Sequence, residues 1–245
     1  MTASSRTTRT TRTMLTVLAS AVAVTVSACG SSDSGAPLQT FGPTVAPPQT
    51  SGAAAPVVDS ITLRSNLLDV PQLPSGYSAL NDPPPGSTGG AGAKTDPPQC
   101  AKVLSPVSAQ APGSFSQTVA QFGGPDFDTL DIDAASYANG GAAQAFSTVQ
   151  SLLRECTRYS GKDVDGESVD FQVGAVDQPS AGDASTAFRV HTTSQGLTLY
   201  SVVSVTLVGS VVVQLAMSGA AEPDPQELSA LTAAQARKLK GEAGP

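Results

Sequence analysis

Charge is scarce in this 245-residue chain: Asp, Glu, Lys and Arg make up 13% of it, against 40% hydrophobic residues. A coiled coil or a mostly helical bundle needs far more Glu, Lys and Leu, so both are excluded. A wholly disordered chain is excluded as well, because the apolar residues concentrate in the second half. Basic residues are scarcer than acidic ones, 13 against 20, and three of the 13 (Arg6, Arg9 and Arg12) stand at the extreme N-terminus. A surface that acidic repels phosphate backbones, which excludes nucleic acid as a partner. Histidine occurs once, as His191. There is no Gly-x-Ser-x-Gly elbow, His-Glu-x-x-His helix, Gly-Lys-Ser/Thr phosphate loop or Cys-x-x-Cys pair. No catalytic residue and no cofactor is therefore assigned, and His191, beside Val190, is expected on the face of a strand.

Two acidic runs are weighed as metal sites and set aside. Asp126, Asp128, Asp131 and Asp133 straddle an expected strand, so alternation distributes them over both faces. Asp163, Asp165, Glu167 and Asp170 flank Gly166 but lack the further acid before the Gly and the Glu that closes a calcium loop. The expectation is a solvated turn, with no metal.

What the chain does have begins at its N-terminus. The three arginines lie in a Thr/Ser-rich start without an acid, and Met14 to Ala28 follow without a charge. These are the n- and h-regions of a secretory signal, and at about 22 Å as a helix the run is short for a bilayer span. It ends Val26-Ser27-Ala28-Cys29-Gly30, which resembles the lipobox of bacterial lipoproteins. That resemblance implies cleavage after residue 28, a diacylglyceryl and palmitate-type modification of Cys29, and attachment to the membrane through that lipid. The most apolar later stretch, Leu199 to Met217, is broken by Ser201, Ser204, Thr206, Gly209, Ser210 and Gln214. Its β-branched residues fit a hairpin rather than a membrane span.

Of the 29 residues from Gly30 to Val58, 23 are Gly, Ser, Ala, Pro, Thr or Gln. Such a stretch buries too little to offset ordering, so residues 29–58 are expected to be a lipidated, disordered tether. As a flexible coil it would hold a domain roughly 30 Å from the membrane. Residues 59–240 form the expected domain and 241–245 a disordered tail. With Cys29 modified, Cys100 and Cys156 remain as a pair in an oxidising compartment, which favours a disulfide between them.

Hydrophobic periodicity sets the elements. Phe146, Val149, Leu152, Leu153 and Cys156 share one face of a helix over residues 139–156. Strands are expected over residues 114–122, 129–137, 169–176, 184–192, 197–208 and 211–217, the last two joined at Gly209-Ser210. Pro223 and Pro225 open a terminal helix whose end carries Arg237, Lys238 and Lys240. The fold class is α+β, a mainly antiparallel sheet with two principal helices.

In order, the chain carries Leu67-Leu68, then Leu73-Pro74-Ser75-Gly76-Tyr77, then Cys100-Ala101 opening a short helix. The Tyr137 to Cys156 segment, Phe188-Arg189, a hairpin at Gly209 and a terminal helix follow. Over most of Ile61 to Leu239 this layout resembles the actinobacterial cell-envelope lipoproteins related to the extracellular sensor domain of the mycobacterial receptor kinase PknH. The resemblance implies a sandwich with a cleft that holds an unidentified ligand. The kinase's sensor domain has two disulfides, where this chain has cysteines for one. The function expected is therefore a ligand-binding or sensing module on the extracytoplasmic face of the cell membrane, with a small molecule, lipid or envelope protein as ligand. A lipid or glycolipid carrier is the alternative, and an envelope enzyme comes third.

Overall fold

A computed structural model describes residues 37–48, 55–81 and 94–242. The signal peptide read over residues 1–28, Cys29 and the start of the tether lie outside the described residues. Nine described strands form one antiparallel sheet in the order β1-β3-β4-β9-β8-β7-β6-β5-β2. They are β1 (Ser78–Ala79), β2 (Lys94–Asp96), β3 (Ser116–Gly123), β4 (Thr129–Ser136), β5 (Arg158–Lys162), β6 (Ser168–Val176), β7 (Ala184–Ser194), β8 (Leu197–Val208) and β9 (Val211–Gly219). The helices are α1 (Ser60–Ser65), α2 (Val107–Gln110), α3 (Gly141–Glu155) and α4 (Pro225–Leu239). This is the expected α+β class, with two long helices.

The Val-rich run from residue 199 to 217 becomes the β8–β9 hairpin at the centre of the sheet, turned at Gly209 with φ +57°. A run so continuously apolar makes sense where a strand is covered on both faces. Val203, Val205, Leu207 and Val212 pack beneath α3, whereas Val202, Val211, Val213, Leu215 and Met217 pack beneath α1 and α4. Helix α3 presents Phe146, Val149, Leu153 and Cys156 to the sheet, and Cys156 is bonded to Cys100 with their Cα atoms 5.5 Å apart. Both cysteines are buried, which ties the short 3₁₀ turn Pro98–Lys102 under α3.

On the other face α4 lies on β8 and β9, and the Ser204 and Thr232 hydroxyls meet at 2.6 Å. Its N-terminus is capped by Asp224, whose carboxylate accepts from the Gln226 amide. At its C-terminus Gly241, at φ +71°, and Glu242 donate to Lys238 and Arg237 carbonyls. That is a Schellman closure, which only glycine enters without strain. Gly241 and Glu242, expected in the disordered tail, thus belong to the helix end.

The larger departure from expectation concerns residues 37–48, expected within the tether. They form a strap across the edge of the sheet. The pairing of β5 with β6 covers residues 168–172, and the Val173 amide still donates to the Thr157 carbonyl just before β5, so the edge of β6 is open only beyond Val173. There the Ala175 amide donates to the Gln39 carbonyl at 2.8 Å. Leu38 lies so close over Gly174 that any Cβ on that residue would stand 2.4 Å from the Leu38 Cβ. Phe41 then packs on the core under α3, Arg154 donates to the Gly42 carbonyl, and the buried Gln150 amide pairs with both main-chain groups of Val45 at 2.8 and 2.9 Å. Further on, Ser210 binds the Pro56 carbonyl, and Ser136 and Ser116 bind the two main-chain groups of Val58. The compact unit accordingly begins at Pro37 rather than at residue 59. Composition alone reads such a segment as coil, because its partners are side chains more than 100 residues away.

Candidate functional site

Strand β7 sends Phe188 and Val190 into the core beneath α3. Alternation places Arg189 and His191 on the opposite face, the one that carries α4. Helix α4 covers β8 and β9 but leaves this part of β7 partly open, with the side chains of Arg189 and His191 26% and 21% exposed. Glu222, in the loop from β9 to α4, pairs with Arg189 and stands 3.9 Å from His191 Nε2. That nitrogen is buried and hydrogen-bonded to nothing described. The His191 ring packs edge-on against Tyr200, with centroids 4.9 Å apart. Burial holds its pKa below the usual histidine value, more strongly than Glu222 raises it. His191 is therefore on a strand face, as expected, but in a polar cluster rather than alone.

At the other end of α4 an open hollow of about 170 Å³ lies between the Ala181-Gly182 turn and the helix, lined also by Ala233, Ala236, Arg237 and Lys240. Lys240 reaches Asp183 at 3.6 Å beside it. Between the two ends run seven residues of β7, roughly 23 Å of strand. Their α4-side positions are the small Ser185 and Ala187 followed by Arg189 and His191. The flank of α4 thus has a hollow at one end, a polar cluster at the other and small side chains between.

A second polar group lies on the opposite face, under α2. Asp131 and Asp133 share that face of β4, as strand alternation predicts, while the Asp128 carboxylate lies against Gly219 on the α4 face, so the acidic run divides between the two faces. The Val107 amide donates to Asp133 Oδ1 at 2.7 Å and Gln214 Nε2 to Oδ2 at 3.1 Å, while Gln110 donates to Gln214 Oε1 at 2.8 Å. Burial pushes the Asp133 pKa up to about 7 in spite of those donors. The arrangement anchors the first turn of α2 to the sheet.

Among the described residues no three His, Cys, Asp or Glu side chains converge on a metal position. The acids around Gly166 build the β5–β6 hairpin turn instead: Asp163 Oδ1 accepts from the amides of Asp165 and Glu167, both at 2.9 Å. Sequence reasoning missed Glu222 and Arg189 as a pair, because nothing in spacing links a mid-strand residue to a loop 33 positions later. The alternation of β7 does put Arg189 and His191 on one face, a placement the sequence itself carries. Among the described residues no helix is long and apolar enough to cross a membrane.

No protein-family model and no curated protein sequence matches the chain. Among solved structures the fold is similar to that of the extracellular domain of PknH from Mycobacterium tuberculosis, with a TM-score of 0.61 and 13% identity. That likeness covers 77% of this chain and all of the PknH domain. An uncharacterized protein from Mycobacterium smegmatis, an Rv0999 ortholog, aligns over 82% of this chain and 91% of its own at 15% identity, with a TM-score of 0.36. The family resemblance drawn from the order of motifs is thus met by a shared fold at low identity.

Proposed function

We propose that this protein is a lipid-anchored, extracytoplasmic binding module that senses or holds a ligand along the flank of α4, and that it performs no chemistry of its own. The observation that carries the binding role is the partly open stretch of β7 on the α4 side, where Arg189, His191 and Glu222 gather and one ring nitrogen is buried without a partner. A buried polar atom left unpaired costs free energy, and at this nitrogen, beside the partly exposed Arg189–Glu222 pair, a ligand oxygen would recover it. The fold shared with an extracellular domain supports an extracytoplasmic setting. The charge-free run before Cys29 and the small residues Ser27 and Ala28 support secretion and lipidation. If Cys29 carries the lipid, only residues 30–36 separate it from the strap.

Anchoring is tested by intact-mass measurement of the protein from the cell envelope. A mature chain starting at Cys29 and carrying lipid is expected, and Cys29→Ala should appear in the medium or as uncleaved precursor. A Cys29→Ala protein processed at the same place and kept in the same detergent fraction would contradict the anchor.

A further inference from the structure

We infer that Arg189 and His191 form an anion-binding end of the α4 flank, with the Glu222 carboxylate holding the place that a ligand's carboxylate or phosphate takes. The inference rests on the binding function proposed above and gives its ligand a chemistry.

Register supplies the first support. Arg158 on β5 lies opposite Gln172 on β6, Gln172 opposite His191 on β7, and His191 opposite Tyr200 on β8. Directly paired residues share a face, so these four side chains form one row across four strands, with Arg189 next to it along β7. Two guanidinium groups, a primary amide, an imidazole and a phenol stand together there. Every one of them is able to donate a hydrogen bond. Acids border the row, Asp170 beside Gln172 along β6 and Asp128 against Gly219 next to Tyr200, so its donors are concentrated at Arg189 and His191 in the middle.

The second support is the state of Glu222. Its carboxylate already shows that this site accepts an anion, since it pairs with Arg189. It does so from a loop, 41% exposed, and it does not satisfy its other neighbour. His191 Nε2 remains 3.9 Å away, buried and unbonded. One tethered carboxylate therefore reaches Arg189 and stops short of His191, whereas a free anion with two or three oxygens in its place binds Arg189 through its planar fork and His191 through the ring nitrogen. Tyr200, packed edge-on against the ring, holds the imidazole where that bond forms. Glu222 yields readily to a competing anion, because it holds Arg189 from a surface loop where water and salt screen the pair.

Because His191 is the only histidine, its ring signals in an NMR spectrum report on this site alone. Titrations with acetate and with inorganic phosphate are each expected to shift those signals saturably, and sodium chloride at matched ionic strength is not. The anion that binds tighter names the ligand group, carboxylate or phosphate. Glu222→Gln removes the resident competitor and should tighten binding about fivefold, whereas Arg189→Gln should weaken it at least about tenfold, the loss typical of a truncated charge pair. Arg189→Lys, which keeps the charge and loses the fork, should fall between them and guards against a folding defect in the Gln variant. A wild-type and Glu222→Gln protein without saturable shifts, or binding unchanged in both Arg189 variants, would overturn the inference. If the purified protein nevertheless retains a neutral molecule, the binding function stands and only its anionic character falls.

Discussion

Deleting residues 37–48 is expected to destabilise the domain by about 3 kcal/mol, from an unpaired buried amide at roughly 1–3 kcal/mol and lost burial of Phe41 at about 1.5 kcal/mol. Gln150 is only 5% exposed, and its amide pairs with both main-chain groups of Val45. Without the strap its carbonyl and amide lose both of those partners. The open edge of β6 also loses its partner at Ala175. For a domain of this size a loss of 3 kcal/mol lowers Tm by roughly 10 °C. Gln150→Ala in the full chain should reproduce a large part of that loss. A deletion protein that melts with the wild type would mean that these residues contribute nothing to folding and belong to the tether after all.

The second large effect is on pH dependence. Asp133 titrates near 7 in the fold and near 3.8 when unfolded, because burial disfavours its charge. Its folded pKa is raised, so between those values the folded chain holds a proton that the unfolded chain has released. Stability contributed by this group therefore falls as pH rises from about 4 to about 7 and is constant above that, a difference of about 4 kcal/mol at 1.36 kcal/mol per pH unit. Asp133→Asn removes the titration while keeping an oxygen for the Val107 amide. Denaturant melts from pH 4 to 8 should show the variant gaining on the wild type as pH rises, with the gap complete by about pH 8. Parallel profiles for the two proteins would show that the Asp133 carboxyl is solvated enough to titrate normally.

How far the fold could be read from the sequence depended on where each element finds its partners. Helix α3 and the β8–β9 hairpin carry their own periodicity and turn residues, so their bounds were legible to within a few positions. Strand β5 was not, since only Tyr159 of its five residues is buried. Its identity comes from pairing with β6. The strap was illegible for the same reason in stronger form. Leu38, Phe41 and Val45 are isolated apolar residues in a Pro-rich run, and only Gly174, Gln150 and Arg154 give them a place. Of the polar cluster, the alternation of β7 shows Arg189 and His191 together, but Glu222 reaches them through the geometry of a loop. The disulfide needed no geometry, because two cysteines remain once Cys29 is set aside.

The proposed binding role is tested most directly by what the protein carries when purified from its own envelope. Organic extraction followed by mass spectrometry, compared between the wild type and Ala233→Trp, reads both the presence of a ligand and its position. Ala233 lines the hollow beside Gly182, where an indole would occupy the space. The wild type is expected to yield one defined small molecule at close to one per chain, and Ala233→Trp, melting normally, only a small fraction of it. Acyl chains in that extract would identify a carrier, and a polar molecule a sensor. A wild type that yields nothing would contradict a binding site on the α4 flank, and a variant that retains as much as the wild type would contradict a ligand that runs along the flank to the hollow.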